Sequence, residues 1–306
     1  MSPTTRVSFL DRIRTELESL ATGGDAILEA SGIEYQGDFN RGGGVIFIAP
    51  DWAWAPPTDD LRRLQMKIVP RFDRWFSRFQ LLFSDARAEL QSQIRELHGE
   101  IREWLARDGS TGSGWDVPND VEADWNLLRE RFAKLAALLD VLAPVGVAQP
   151  TFAIPDTSAI IDAPELEGYL GALGVAELEI VLVPGLLAEL DALKDQGKNQ
   201  DIRQKARAAG QAIKELRNRG SLVEGVHLKN GVRVVSRPLE PSFARLPAGL
   251  DPAVPDDRIL GSALELQREH PAATVILVTG DINLQTKAEL GGLPYIEPPS
   301  ASSARS

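Results

Sequence analysis

The chain has 306 residues, enough for two ordinary domains, and its 43% hydrophobic and 25% charged content is that of a folded globular protein. It has no cysteine, which excludes disulfides, zinc–thiolate sites and cysteine nucleophiles. Its three histidines, His98, His227 and His270, lie far apart, so a metal site has to be built from oxygen ligands. A net charge of −11 argues against a protein that coats nucleic acid by bulk electrostatics and leaves room for a local basic patch.

The opening MSPTTRVSFLDRIRTEL alternates charged with apolar residues and lacks the uninterrupted apolar block of a signal peptide or membrane span. The expectation is a cytoplasmic protein with no membrane partner. Val7, Leu10, Ile13, Leu17 and Leu20 recur three or four apart, which predicts an amphipathic helix over 5–22. Between Ile33 and Pro50 an RGGG turn precedes VIFIAP, a strand or small hairpin. Gly42 to Gly44 lack the strand before and helix after that a phosphate loop needs, so they read as a flexible turn. From Asp59 to about Arg107 the pattern is helical almost throughout, interrupted at Pro70, with Phe72, Trp75, Phe76, Phe79, Leu82 and Phe83 on one dense face. Its natural partner is 119–142, where Val121, Trp125, Leu128, Phe132, Leu135 and Leu139 repeat at helical spacing after the Gly/Ser-rich RDGSTGSGW link. A mainly helical domain over 1–145 follows, as an antiparallel hairpin or small bundle, and it is a candidate surface for a protein partner or for self-association. APVGVAQP reads as a boundary and ASSARS as a disordered tail, leaving a second domain over 146–299 and a tail over 300–306.

From Thr151 short β-rich runs alternate with helices: TFAIP, EIVLVP, VRVVS and TVILVT are strand candidates, and LPYIEP could supply one more. This predicts an α/β domain with a parallel sheet, and Asn230-Gly231 predicts a hairpin near its edge. Ligands of open parallel sheets bind beyond the carboxyl ends of the strands, and acids stand there. Asp156 follows TFAIP directly, Asp281 follows TVILVT in TGDINL, Glu189 lies in the helix leaving EIVLVP, and Asp256 and Asp257 open another helix in PDDRILGSALEL. Singly, each has an ordinary role as helix cap, turn residue or solvated position. Together they repel, and a fold keeps such a group mainly where a hard cation such as Mg²⁺ or Mn²⁺ compensates.

The succession DTSAII, VPGLLAELDALK, ARAAGQAI, DDRILGSALEL and VILVTGDINLQTKAE resembles the PIN-domain family, particularly the branch found ahead of bacterial phosphate-starvation-inducible ATPase domains. The resemblance spans nearly all of 151–297 and implies a three-layer α/β/α nuclease domain. It implies metal-binding, catalytic acids at Asp156, Glu189, Asp257 and Asp281, with Asp257 in the DRIL position of the third acid and Asp256 its less certain neighbour. Ser158 and Thr279 match positions that hold polar supporting residues, and Asn283 is placed with them.

These acids with one or two Mg²⁺ or Mn²⁺ ions would suit an endoribonuclease that hydrolyses phosphodiester bonds of single-stranded RNA. H-E-x-x-H, G-x-x-x-x-G-K-[ST] and G-x-S-x-G motifs are absent, so zinc proteolysis, P-loop ATP hydrolysis and α/β-hydrolase chemistry lack their parts. Residues 194–219 carry eight positive against three negative charges, which marks Lys194, Lys198, Arg203 and Lys205 as candidate phosphate contacts; a solvated, salt-bridged helix explains the same run. Three other functions stand beside this one: a structure-specific DNA nuclease, a catalytically silent RNA- or protein-binding module, and a toxin or defence effector.

Overall fold

A computed structural model describes residues 8–35, 52–107, 121–143, 149–197, 199–246 and 249–299. Lys198, the RGGG turn, VIFIAP, the DGSTGSGW link, most of APVGVAQP and the ASSARS tail lie outside the described residues. The chain divides into two compact units, Arg12–Leu142 and Met1–Asp11 with Ala143–Ser306. Among the described residues no helix is long and apolar enough to cross a membrane.

The first unit holds helix α1 (Phe9–Glu29) from Arg12 onward, an antiparallel ladder of β1 (Ile33–Tyr35) and β2 (Trp52–Trp54), and helices α2 (Asp59–Leu82), α3 (Ala88–Ala106) and α4 (Val121–Val141). The expected aromatic face of α2 is its core. The Trp75 ring stacks on Phe79 at 4.9 Å and its Nε1–H donates to the Ile13 carbonyl of α1 at 2.8 Å. Phe72 meets Phe132 of α4 edge-on at 6.0 Å, and Phe76 stacks on His98 of α3 at 4.0 Å. Four helices therefore share one aromatic centre. The helical break was expected at Pro70, but α2 runs through it and the chain turns at 83–87 instead. Proline deletes one helical hydrogen bond, to the carbonyl four residues back. That residue, Met66, is 78% exposed, so its carbonyl can turn to water, while buried Ile68 and Phe72 hold the helix on either side.

The second unit runs β3 (Thr151–Pro155), α5 (Thr157–Asp162), α6 (Gly168–Leu173), β4 (Leu178–Leu182), α7 (Pro184–Gln196), α8 (Gln200–Arg219), β5 (Val226–His227), β6 (Val232–Ser236), α9 (Pro255–Glu269), β7 (Thr274–Val278), α10 (Ile282–Gly291) and β8 (Tyr295–Ile296). The six strands lie in the order β5-β6-β4-β3-β7-β8, all neighbours parallel except the β5–β6 hairpin at the edge. Each strand run read from the sequence is a strand here. From central β3 the chain moves to β4 and β6 on one side, then crosses to β7 and β8 on the other. The crevice between the carboxyl ends of β3 and β7 is thus the switch point of the sheet, where connections depart in opposite directions. The Asp156 N–H donates to the Val278 carbonyl at 2.9 Å, tying the two strand ends together at that point.

The edge hairpin is set by backbone conformation. Asn230 has φ 61° and Gly231 φ 83°, the left-handed pair such a turn needs. A Cβ on Gly231 would stand 2.6 Å from the Ala176 carbonyl oxygen. Gly231→Ala is therefore expected to cost about 1 to 3 kcal/mol, from left-handed strain together with that contact, while Asn230→Gly stays near neutral. Urea unfolding midpoints of the two variants check this, and an unchanged midpoint for Gly231→Ala would contradict it.

Candidate active site

Four carboxylates reach the switch point from four separate elements. Asp156 ends β3 and caps α5, its Oδ1 accepting the Ala159 N–H at 2.6 Å and the Ser158 hydroxyl at 2.9 Å. Its Oδ2 accepts the Thr279 hydroxyl from the end of β7. Asp281 caps α10, accepting the Leu284 N–H at 2.8 Å, and its own N–H donates to the Thr279 oxygen at 3.0 Å. Thr279 is wholly buried and so spans Asp156 and the backbone of Asp281 with one hydroxyl. Glu189 stands on α7, where its Oε2 accepts the Thr157 hydroxyl at 2.7 Å. Asp256 lies in the first turn of α9, half-buried.

These four and Asp162 line a cleft of about 380 Å³, with Lys205 its only cation among the described residues and Ile161, Leu193 and Ile202 an apolar wall. Five carboxylates against one ammonium leave the cleft strongly negative. Asp256 registers it: its carboxyl is pushed up to about 6, first by burial, then by the charges of Glu189, Asp156, Asp281 and Asp257. Lys205 is shared between Asp201 at 3.4 Å and Asp162 at 3.5 Å.

Asp257 departs from expectation. It was placed as the third acid ahead of Asp256, yet it does not line the cleft. It is 1% exposed, and it pairs with the Lys287 ammonium at 2.6 Å and accepts the Asp251 N–H at 2.9 Å. Successive helical residues point about 100° apart, and in α9 Asp256 faces the cleft while Asp257 turns to Lys287 of α10. Asn283 is exposed in the first turn of α10 and is not part of the cleft lining. The expected phosphate contacts divide as well. Lys205 lines the cleft, the Arg203 guanidinium donates to the Gly197 carbonyl at 2.7 Å, and Lys194 pairs with Asp191 at 2.5 Å on another flank. Thr157, which fixes Glu189, and Asp162, which meets Lys205, were not singled out from the sequence. Their only sequence signal was proximity to Asp156 in DTSAIID.

The donor set suits a hard divalent cation, being made of carboxylate and hydroxyl oxygens. The oxygens are not drawn into a finished shell: among the described residues no three Asp, Glu, His or Cys side chains converge on one point that could hold an ion. Mutual repulsion keeps uncompensated carboxylates apart, and the hydrogen bonds at Asp156, Glu189 and Asp281 hold each on the cleft wall with lone pairs to spare.

The fold and this acidic cleft define an α/β protein with an oxygen-donor site at the switch point of a parallel sheet. The family model of the PIN domain matches residues 153–297, so this part of the chain is a PIN domain. PIN domains are generally nucleases, hydrolases that typically use divalent metals, and the chain accordingly carries a nuclease-type domain. No curated protein matches the chain.

The neighbouring acids are expected to act oppositely on stability. Asp256 ordinarily titrates near 3.8 but holds its proton to about 6 when folded. Its contribution to stability is therefore full below about pH 4 and lost as pH rises through about 6. In chelator, Asp256→Asn is expected to raise Tm at neutral pH and to flatten the decline of Tm between those two values. Asp257→Asn, which strips Lys287 of its partner, is expected to lower Tm throughout. Thermal melts against pH test the pair, and a lowered neutral-pH Tm for Asp256→Asn would show that its crowding does not exist.

Proposed function

We propose that this chain is a metal-dependent endoribonuclease that cuts single-stranded RNA, with Asp156, Glu189, Asp256 and Asp281 gathering Mg²⁺ or Mn²⁺. The observation that carries the reading is the meeting of these four acids, from four elements, in one cleft at the sheet's switch point. Bound metal supplies a nucleophilic water at neutral pH and offsets charge on the attacked and departing oxygens. The chain's own residues prepare the place. Asp156 is locked by three donors, Glu189 by the Thr157 hydroxyl and Asp281 by its helix cap, so the ligands have little freedom left to lose on binding. Thr279 couples two of them, and Asp257 with Lys287 holds the first turn of α9 that carries Asp256. The apolar wall of Ile161, Leu193 and Ile202 suits the faces of unstacked bases, and Lys205 suits a phosphate, which supports a single strand as substrate.

Cleavage of labelled RNA and DNA single strands, with Mn²⁺, with Mg²⁺ and in excess chelator, tests the reading. RNA cutting that needs metal is expected, with Asp281→Asn inactive. Thr279→Val is expected to weaken metal affinity by about ten- to a hundredfold, because it removes the hydroxyl that orients Asp156. Cutting that persists in chelator would sink the mechanism. Preferential cutting of DNA would move the substrate, and metal binding without cutting of either would leave a silent binding module.

A further inference from the structure

A second cavity of about 670 Å³ lies on a different flank of α7 from the acidic cleft, between α7, α8, the 220–223 turn and the end of β6. Helix α7 turns Glu189 and Leu193 to the cleft and Leu187, Leu190, Asp191 and Lys194 to the cavity. The cavity's charge is opposite: among the described residues, Lys194, Lys214 and Arg217 line it against Asp191. Asp191 already pairs with Lys194, while Lys214 and Arg217 have no ion-pair partner among the described residues. In a chain of net charge −11, two cations left unmatched at one cavity are a local reversal that calls for an anion.

The third cation is built in. Lys194 crosses α8 at Gly210, where a Cβ would stand 2.4 Å from its Cε and 2.6 Å from its Nζ, and its side chain is only 22% exposed. Glycine within a helix is less favourable than alanine. Here it opens the path that seats the ammonium in the cavity wall. Hydroxyl donors are at hand too: Ser221 Oγ accepts the Glu224 N–H at 3.3 Å, which leaves its proton free, and Ser236 also lines the wall. Leu190, Ile213 and Val223 add apolar surface, and Val223 is 76% exposed at the rim. Cations and hydroxyls beside an apolar face match a nucleotide, phosphate against the former and base against the latter.

We propose that this cavity binds a nucleotide unit of the same strand that is cut in the acidic cleft, an inference that rests on the nuclease reading above. Lys205 in the cleft and Lys214 in the cavity are nine residues apart on α8, about 14 Å along the helix at 1.5 Å per residue and half a turn around it at 3.6 residues per turn. A strand that leaves the cleft and winds across α8 therefore meets the cavity a few nucleotides from the scissile bond. The cavity then governs how long a substrate must be and how tightly it binds, and leaves the chemistry to the cleft.

The test uses the full chain, a labelled RNA octanucleotide and a labelled dinucleotide. Binding is read by anisotropy against salt in chelator, and cutting by kcat and KM in Mn²⁺. For Lys214→Ala with Arg217→Ala, the octanucleotide salt slope is expected to shrink by about 1.4, at about 0.7 per phosphate contact on a single strand, and KM to rise. Dinucleotide cutting should not change. Gly210→Ala keeps every charge and improves helix propensity, yet displaces Lys194; it is expected to weaken octanucleotide binding without lowering Tm. Should that variant melt lower, the double variant decides alone. An unchanged salt slope and KM in the double variant would overturn the proposal, as would equal losses on dinucleotide and octanucleotide. A parent chain that binds the octanucleotide with the expected slope but cuts nothing would end the nuclease reading and keep the cavity as a strand-binding site. A parent that does not bind it would end the cavity inference.

Discussion

The carboxyl unit depends on the bond that the buried Thr279 hydroxyl gives Asp156 across the ends of β3 and β7. Two parallel strands whose connections depart in opposite directions leave a crevice between their carboxyl ends, and nothing in the sheet ladder closes it. Thr279 closes it from β7 and the Asp156 N–H from β3, through the Val278 carbonyl. The hydroxyl also accepts from the Asp281 backbone, so one side chain fixes the start of both helices whose caps are cleft acids. A carboxylate serving as helix cap is held by the backbone, which lets the fold place a charge without a neighbouring cation to hold it.

That placement stores repulsion. Asp256, lacking a cap role, shows it most plainly by keeping its proton to about pH 6 under burial and the charges around it. Its neighbour Asp257 is placed differently, paired with Lys287 in a nearly sealed site. Adjacent carboxylates thus divide the work: one anchors the first turn of α9 and the other is presented to the cleft. A metal ion bound in such a cleft, as the proposed function requires, would gain from relieving the repulsion as well as from coordination.

Charge is sorted at a finer scale than the net value suggests. Across the thickness of α7 the surface passes from five carboxylates in the cleft to a cavity where cations predominate. A polyanion that must approach an acidic centre needs contacts elsewhere to offset the repulsion, and opposite flanks of one helix supply both environments within a short span.

The strands, their parallel arrangement, the edge hairpin and the all-oxygen character of the site were legible in the sequence, because each follows from local pattern: β-rich runs, Asn-Gly and the absence of cysteine. Which acids meet was legible only to the precision of the elements that carry them. The choice between Asp256 and Asp257 turns on the rotation of α9 about its axis, and residues 259–267 of that helix are all buried, so no polar stripe in the sequence shows which side faces the cleft. The basic run of 194–219 showed an excess of charge but not its division, with Lys205 in the cleft, Arg203 spent on a carbonyl and Lys194 laid over Gly210 toward the cavity. Composition and periodicity are properties of the chain read along its length, whereas facing and partnering arise only when helices pack. The sequence by itself therefore determined the chemistry available, and the tertiary structure decided which residues share it.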